Sequence, residues 1–441
     1  MRRTTVAIAI GCVSLSAVAC PSAREPVATA PVAVPSVAAG GAPTAAAAIR
    51  ELCPPPADGT AGSAGPSARP SPGTVPPEIA EVEDQVEQVR GLTYVHPVAV
   101  TAVDDDEMRR RVESSFDESY PAEAYDRRTS AWRTIGVIPA DADLREALRS
   151  FLGGQVVGFY DTDTGELVYE GSDDLGVTER LVLAHELTHA LDDQRFDLSR
   201  LDRLGRRCHD EASEAALGVV EGNAQFVSAQ TIARFSSGDL GDVLGALLQG
   251  LGDQPDLAGV PPFVQALETW PYTAGLGFVT RLELGGGTAA VDAALRHPPT
   301  TTEQVIHPER YPDDLPSPVD VPDLSGALGE GWGDLDAMEV GEEWLDAMLR
   351  LRLDGSSADE SSAGWDGGVY RAWSDGTEVA VAMDTAWDSE EDARAFAHAM
   401  EEWNGEGDGP ASVRADGDHV RLAFSTSDDV QRRLDAALSS A

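Results

Sequence analysis

Residues 182–191 read Val-Leu-Ala-His-Glu-Leu-Thr-His-Ala-Leu, an H-E-x-x-H spacing inside an apolar run. On an α-helix, positions i and i+4 share a face, so His185 and His189 can turn their imidazoles toward one ion. Glu186 falls at the edge of that face, where its carboxylate can hold a water. Zinc takes neutral imidazole nitrogens, and a catalytic zinc site keeps one coordination position open for water or substrate. The spacing points to hydrolysis by metal-activated water, with Zn2+ as cofactor and Glu186 as general base. The same five letters also occur by accident in long chains. The competing reading is a pair of core histidines hydrogen-bonded to Asp192 and Asp193. Leu181, Val182, Leu183, Ala184, Leu187, Ala190 and Leu191 make the helix apolar nearly all round, which implies burial. Buried imidazoles and a buried carboxylate need partners, and a metal satisfies all three together.

A third ligand is sought on the next helix, expected over roughly 210–235. It contains Glu221-Gly222-Asn223-Ala224, with Glu221 lying 32 positions after His189, enough for a loop and three turns to return to the first helix. Around Glu221 stand Ala215, Ala216, Leu217, Val219, Val220, Phe226 and Val227. A lone acid in that setting wants a counter-charge, which a zinc ion holding two histidines provides. Glu211 and Glu214 are rivals at the more polar start of the helix. Gly222 and Ala224 are small and should let the two helices approach closely.

The elements that position these residues begin near Glu78. Ile79, Val82, Val86 and Val89 recur at helical spacing up to Gly91. Residues 97–103 alternate and are β-branched, as a strand would be. Helices are expected over 105–119 and 141–152, the second capped by Asp141. Residues 155–160 and 166–170 flank an Asp/Gly-rich turn and read as a hairpin, placed directly before the motif helix. The edge of such a hairpin can pair with an extended peptide and lay its scissile bond across a metal. The Pro- and Asp-rich stretch 312–322 marks a boundary. Beyond it a helix over 335–353, strands near 369–373 and 378–384, a helix over 389–403 and strand character over 413–424 suggest a small α+β unit without a catalytic constellation.

The chain has 441 residues and a formal net charge of −44, and all 32 basic residues are arginine. So acidic a surface argues against nucleic-acid binding and against adhesion to anionic lipid by charge. Arg2-Arg3 precede an apolar run from Val6 to Ala19, the pattern of an export signal and short of the ~20 residues that span a bilayer. Ala17-Val18-Ala19-Cys20 resembles the lipobox of bacterial lipoproteins, with Ala17 where leucine is usual, and this implies a lipidated Cys20. From Pro21 to about Pro77 the Ala, Pro, Gly, Ser and Thr composition reads as a tether. Of the four cysteines, Cys53 and Cys208 either pair in an exported protein or remain free thiols.

His185-Glu186-Leu187-Thr188-His189 followed by a glutamate helix resembles the gluzincin metallopeptidases, whose third ligand is glutamate. HELTHALDD (185–193) is similar to the active-site helix of thermolysin-like peptidases, and Glu221-Gly222-x-Ala224 to the ligand motif of the aminopeptidase N type. The wider pattern resembles a group of uncharacterised exported bacterial and archaeal proteins, through GFYD (158–161), HEL-x-HAL-x-DQ (185–194), EGNA (221–224), PYTAGLGFV (271–279) and TTEQVIHPERY (301–311). The gap from His189 to Glu221 is longer than in the two well-studied families. The resemblance implies His185, His189 and Glu221 as zinc ligands, Glu186 as the base, and Asp193 as a residue orienting a histidine. Peptide hydrolysis also wants a donor for the developing oxyanion; Tyr272, His297, His307 and Tyr311 are candidates, with His307 and Tyr272 first.

The expectation is thus an α+β, zincin-like protein: an export signal over 1–19, a lipid-anchored linker over 20–77, a mostly helical metallopeptidase domain over 78–315 with a hairpin edge, and a small α+β region over 316–441. It would cleave peptides or proteins at the outer face of the cytoplasmic membrane, held there by Cys20, or be secreted. The alternative is a catalytically silent cell-surface lipoprotein that binds zinc or peptides.

Overall fold

The computed structural model describes residues 44–53, 75–119, 122–153, 158–170, 175–205, 207–235, 257 and 259–440. The expected signal over 1–19 and the lipid-bearing Cys20 lie outside them. Two sheets and the helices packed on them make an α+β architecture. Among the described residues no helix is long and apolar enough to cross a membrane.

The first sheet has three strands: β1 (Ala99–Val103), β2 (Gly158–Asp161) and β3 (Glu166–Glu170), in the order β1-β3-β2. β1 runs parallel to β3 and β2 antiparallel to it. The hairpin forms because Asp161 Oδ1 accepts the backbone N–H of Asp163 at 2.8 Å and of Thr164 at 3.2 Å, and Gly165 supplies the left-handed φ of 69° that closes the turn. β2 is left on the sheet edge. The motif helix, Val177–Phe196, lies against this sheet and against the helix Pro77–Arg90, whose Ile79, Val82 and Val86 meet Leu183, Leu187 and Leu191 in one core. That helix ends at Gly91 with φ 64°, as its sequence requires. The expected helix at 141–152 begins later, at Leu144, because Asp143 rather than Asp141 caps it, accepting Glu146 N–H at 2.8 Å.

The second sheet is wholly antiparallel: β4 (Gly333–Glu339), β5 (Trp365–Ser374), β6 (Val379–Trp387), β7 (Ala411–Asp416) and β8 (His419–Ser425), ordered β4-β5-β6-β8-β7. The helix expected over 335–353 is corrected here. Residues 333–339 are a strand paired with β5, and the helix is confined to Glu342–Leu349 after Gly341. Leu, Ala and Met in 335–338 are good helix formers, and pairing with β5 overrides that weak preference.

This sheet does not stand apart from the preceding chain. Helices Ala122–Ile135 and Leu144–Gly153 bury Trp132, Ile135 and Phe151 in the same core as Trp344, Trp387 and Phe396. The opposite face is covered by the helix Asp428–Leu438 and by Ala45–Leu52, which lies inside the stretch read as a tether. Ala48 and Ile49 are buried there, Ala45 N–H donates to Asp320 at 2.7 Å, and Cys53 is disulfide-bonded to Cys208. A low-complexity composition thus hides one short helix that folds because a sheet face and a covalent bond receive it.

Candidate metal centre

His185 and His189 stand one turn apart on the motif helix, their rings 4.6 Å apart and nearly perpendicular, with the two Nε2 atoms 3.0 Å apart. Glu221 reaches them from the middle of the helix Asp210–Phe235, its Oε2 3.0 Å from His185 Nε2 and 3.5 Å from His189 Nε2. Tetrahedral zinc at 2.0–2.1 Å from its ligands would separate the donor atoms by about 3.3–3.4 Å, the spacing these three already keep. A single proton on either imidazole leaves another pair of lone pairs facing one another, whereas a cation at the centre satisfies all three. His185, His189 and Glu221 form a group that can hold a metal ion, and the donor set suits zinc.

The electrostatics agree. Burial opposes charge on Glu221, but the imidazoles of His189 and His185 outweigh it and hold the carboxyl well below its usual range. Burial likewise disfavours an imidazolium at His189, and Glu221 overrides it, pushing that histidine up to about 9. In the absence of a cation, then, a proton takes its place.

Glu186 sits beside the centre. Its Oε2 accepts the backbone N–H of Tyr160, on edge strand β2, at 2.8 Å. The Tyr160 hydroxyl donates to Asp193 Oδ2 at 2.9 Å, and Asp193 Oδ1 accepts Leu198 N–H at 2.9 Å. The hairpin edge therefore fixes the carboxylate of the expected base. Burial raises the Glu186 carboxyl while the His185 and His189 imidazoles pull it down, and burial prevails. Asp193 was expected to orient a histidine. It grips the hairpin instead, and His189 Nδ1 is buried without a hydrogen-bond partner.

Below the motif, Asp192 is fully buried and accepts from Arg90 Nη2 at 2.9 Å and from Asn223 Nδ2 at 2.5 Å. Arg90 also meets Asp292 at 2.9 Å. Because Asn223 lies two residues past Glu221, this network ties the motif helix to the glutamate helix and fixes their register. Sequence reasoning considered Asp192 only as a histidine partner and passed over Arg90 and Asn223. A lone arginine in the last turn of an otherwise apolar helix face was the available signal.

Tyr272 belongs to the helix Pro262–Gly286, which contains Pro271. This helix crosses the glutamate helix so closely that a Cβ on Gly222 would overlap the Gly275 backbone, and one on Gly275 the Gly218 backbone. Gly222 of the EGNA motif thus serves this crossing. One turn before Gly275, the Tyr272 ring stacks toward His185, with centroids 6.3 Å apart and planes at 27°. The negative charge of Glu221, and then burial, push its hydroxyl well above the ordinary tyrosine range.

His307 is not brought to the centre. It caps the short helix Thr302–Ile306, and its Nε2 meets Glu342 Oε1 at 3.0 Å, so its expected role at the oxyanion is withdrawn on geometry. The Tyr311 hydroxyl donates to the His297 backbone carbonyl at 2.6 Å, which engages the tyrosine and leaves the His297 imidazole out of that bond. Of the rival ligands, Glu211 is bound by Thr302, whose hydroxyl donates at 2.9 Å, and neither it nor Glu214 joins the histidines.

His189, Glu221 and Tyr272 open onto a cleft of about 750 Å³, with Tyr160 and Asp161 of the hairpin on its rim. These features define an α+β chain with three convergent metal donors beside a deep cleft. Residues 328–436 match a family model described as a domain of unknown function (DUF8575), a segment that covers the second sheet rather than the metal donors. No curated protein matches the chain. A crystal structure described as "a putative hydrolase with a novel fold from Chloroflexus aurantiacus" is similar over 60% of this chain and 95% of that one, with 17% identity and a TM-score of 0.36.

Proposed function

We propose that this protein is a zinc-dependent peptidase of zincin-like design. The observation that carries the reading is the meeting of His185, His189 and Glu221 donor atoms at 3.0–3.5 Å with the Glu186 carboxylate beside them. A structural zinc is closed by four protein ligands, and a catalytic one keeps a place open; three donors with the Glu186 carboxylate held beside them by the Tyr160 N–H fit the second arrangement. Zinc held there supplies Lewis acidity toward a substrate carbonyl and lowers the pKa of water. Glu186 takes the proton of the attacking water and returns it to the departing amine. The Tyr272 hydroxyl, facing the same centre, donates to the oxygen on which negative charge gathers. The edge of β2 beside Glu186 gives an extended peptide a strand to lie along.

We further propose that the protein acts outside the cytoplasm, anchored through Cys20. The Cys53–Cys208 disulfide supports an oxidising compartment. The test joins metal analysis to cleavage of an unfolded protein. The wild type should carry about one zinc per chain and cut; Glu186→Gln should keep the zinc and cut about 10²–10⁴-fold more slowly. Full cleavage by the Glu186→Gln protein would remove the base from its role.

A further inference from the structure

The cleft holds a second group of acids that the zinc chemistry does not use. Glu214, Glu268 and Glu343 come from three different helices, Asp210–Phe235, Pro262–Gly286 and Glu342–Leu349, and all line the cavity. Glu343 is 5% exposed, and its carboxylate has neither a hydrogen bond nor an ion pair among the described residues. A buried, unpartnered carboxylate facing a cavity is costly unless something in that cavity answers it. The cations already present are engaged elsewhere. Arg128 is held by Asp210 and Asp336 at 3.4 and 3.0 Å, and Arg127 donates to the Leu52 carbonyl at 3.1 Å. Among the described residues no second set of three donors lies within 4.8 Å of one another, so the acids are spaced too widely for one small metal ion. Trp132 and Trp344 also line the cleft, and indole rings attract organic cations.

We infer that this recess is the specificity pocket of the cleft and receives the cationic side chain of an arginine or lysine in the substrate. The inference rests on the peptidase reading for its substrate and adds the class of residue recognised. The placement fits. Glu214 lies seven residues before Glu221 on the same helical face, about 10 Å along the axis, and Glu268 lies one turn before Tyr272. Residues of an extended peptide step by about 3.3–3.6 Å, so a long side chain one or two residues from the scissile bond spans that separation. Burial, and then repulsion from neighbouring acids, Glu268 beside Glu214 and Glu214 beside Glu343, push the Glu214 and Glu343 carboxyls well above the usual range, and burial pushes Glu268 up to about 7; an entering cation offsets both effects.

The test is equilibrium binding of labelled, N-terminally acetylated peptides to full-length, zinc-loaded Glu186→Gln protein, in which cleavage is slow enough for binding to be read first. Paired peptides differ only by arginine or its neutral isostere citrulline. The arginine peptide should bind at least about tenfold more tightly, the worth of a hydrogen bond to a charged group, and adding Glu343→Gln or Glu268→Gln should reduce that ratio toward one. Thermal melting identifies which variants are folded, and either one suffices. Equal affinity for the two peptides, or a ratio unmoved in both folded variants, overturns the pocket. Cleavage by the wild type is scored separately, so an arginine preference without cleavage would sink the peptidase and leave the recess standing.

Discussion

Zinc binding to this protein should be steeply dependent on pH between 7 and 9, and the reason lies in the Glu221 carboxylate. Its contact with the imidazoles holds a proton on His189 up to about pH 9 when no metal is present. The sign is unambiguous. A pKa raised from 6.5 to about 9 leaves the metal-free site protonated at neutral pH, so zinc must displace that proton before His189 can ligate. Each pH unit below 9 then costs about 1.36 kcal/mol. From pH 9 to pH 7 the penalty is about 2.7 kcal/mol, or roughly a hundredfold in Kd, with close to one proton released per zinc bound near pH 7.5.

Competition against a chelator of known affinity gives Kd at each pH, and calorimetry in buffers of different ionisation enthalpy counts the proton. Glu221→Gln supplies the control. It removes the charge that raises His189, so zinc binding should be weaker at pH 9 and nearly flat from pH 7 upward. A wild-type Kd independent of pH from 7 to 9, with zinc still bound at the centre, would show that Glu221 and His189 are not coupled as the structure places them.

Three substitutions probe the elements around the centre. Tyr272→Phe should keep zinc and lower kcat for peptide cleavage by about 10²–10³-fold with little change in KM, the cost of one oxyanion donor; an unchanged kcat would make the ring a wall only. Gly222→Ala forces a methyl group into the Gly275 backbone, so thermal melting should report a loss of about 1–3 kcal/mol, as overpacking does, and the displaced glutamate helix should carry less zinc. Arg90→Met leaves Asp192 buried with one of its two partners gone and should cost about 3–5 kcal/mol; wild-type stability in that variant would show the pair to be dispensable.

The convergence of His185, His189 and Glu221 was legible because its signals are local. His185, Glu186 and His189 are fixed by helical periodicity alone, and Glu221 betrays itself as one acid among alanines and valines. The hairpin announced itself through Asp161 and Gly165, whose turn chemistry needs no tertiary partner. Long-range partners were out of reach. Nothing in HELTHALDD says that Asp193 will take Tyr160 rather than a histidine, since that choice belongs to a strand 33 residues away. His307 looked like a site residue because a histidine in a polar loop is cheap to spare, yet Glu342, from beyond the apparent boundary at 316, holds it.

The same limit explains the misread helix and the contacts that run across the composition change near 316. Ala122–Ile135 carries Arg127, Arg128 and Arg133 among its apolar residues, and only the sheet it covers, more than 200 residues later, shows why Arg128 is paired with Asp336. Residues 333–339 became a strand because β5 was there to receive them. One core draws residues from both sides of that composition change, Trp132 from one and Trp387 from the other, and such contacts cannot be read from composition. The cleft of this protein, with Glu221 on one side of residue 316 and Glu343 on the other, exists only because that composition change is crossed.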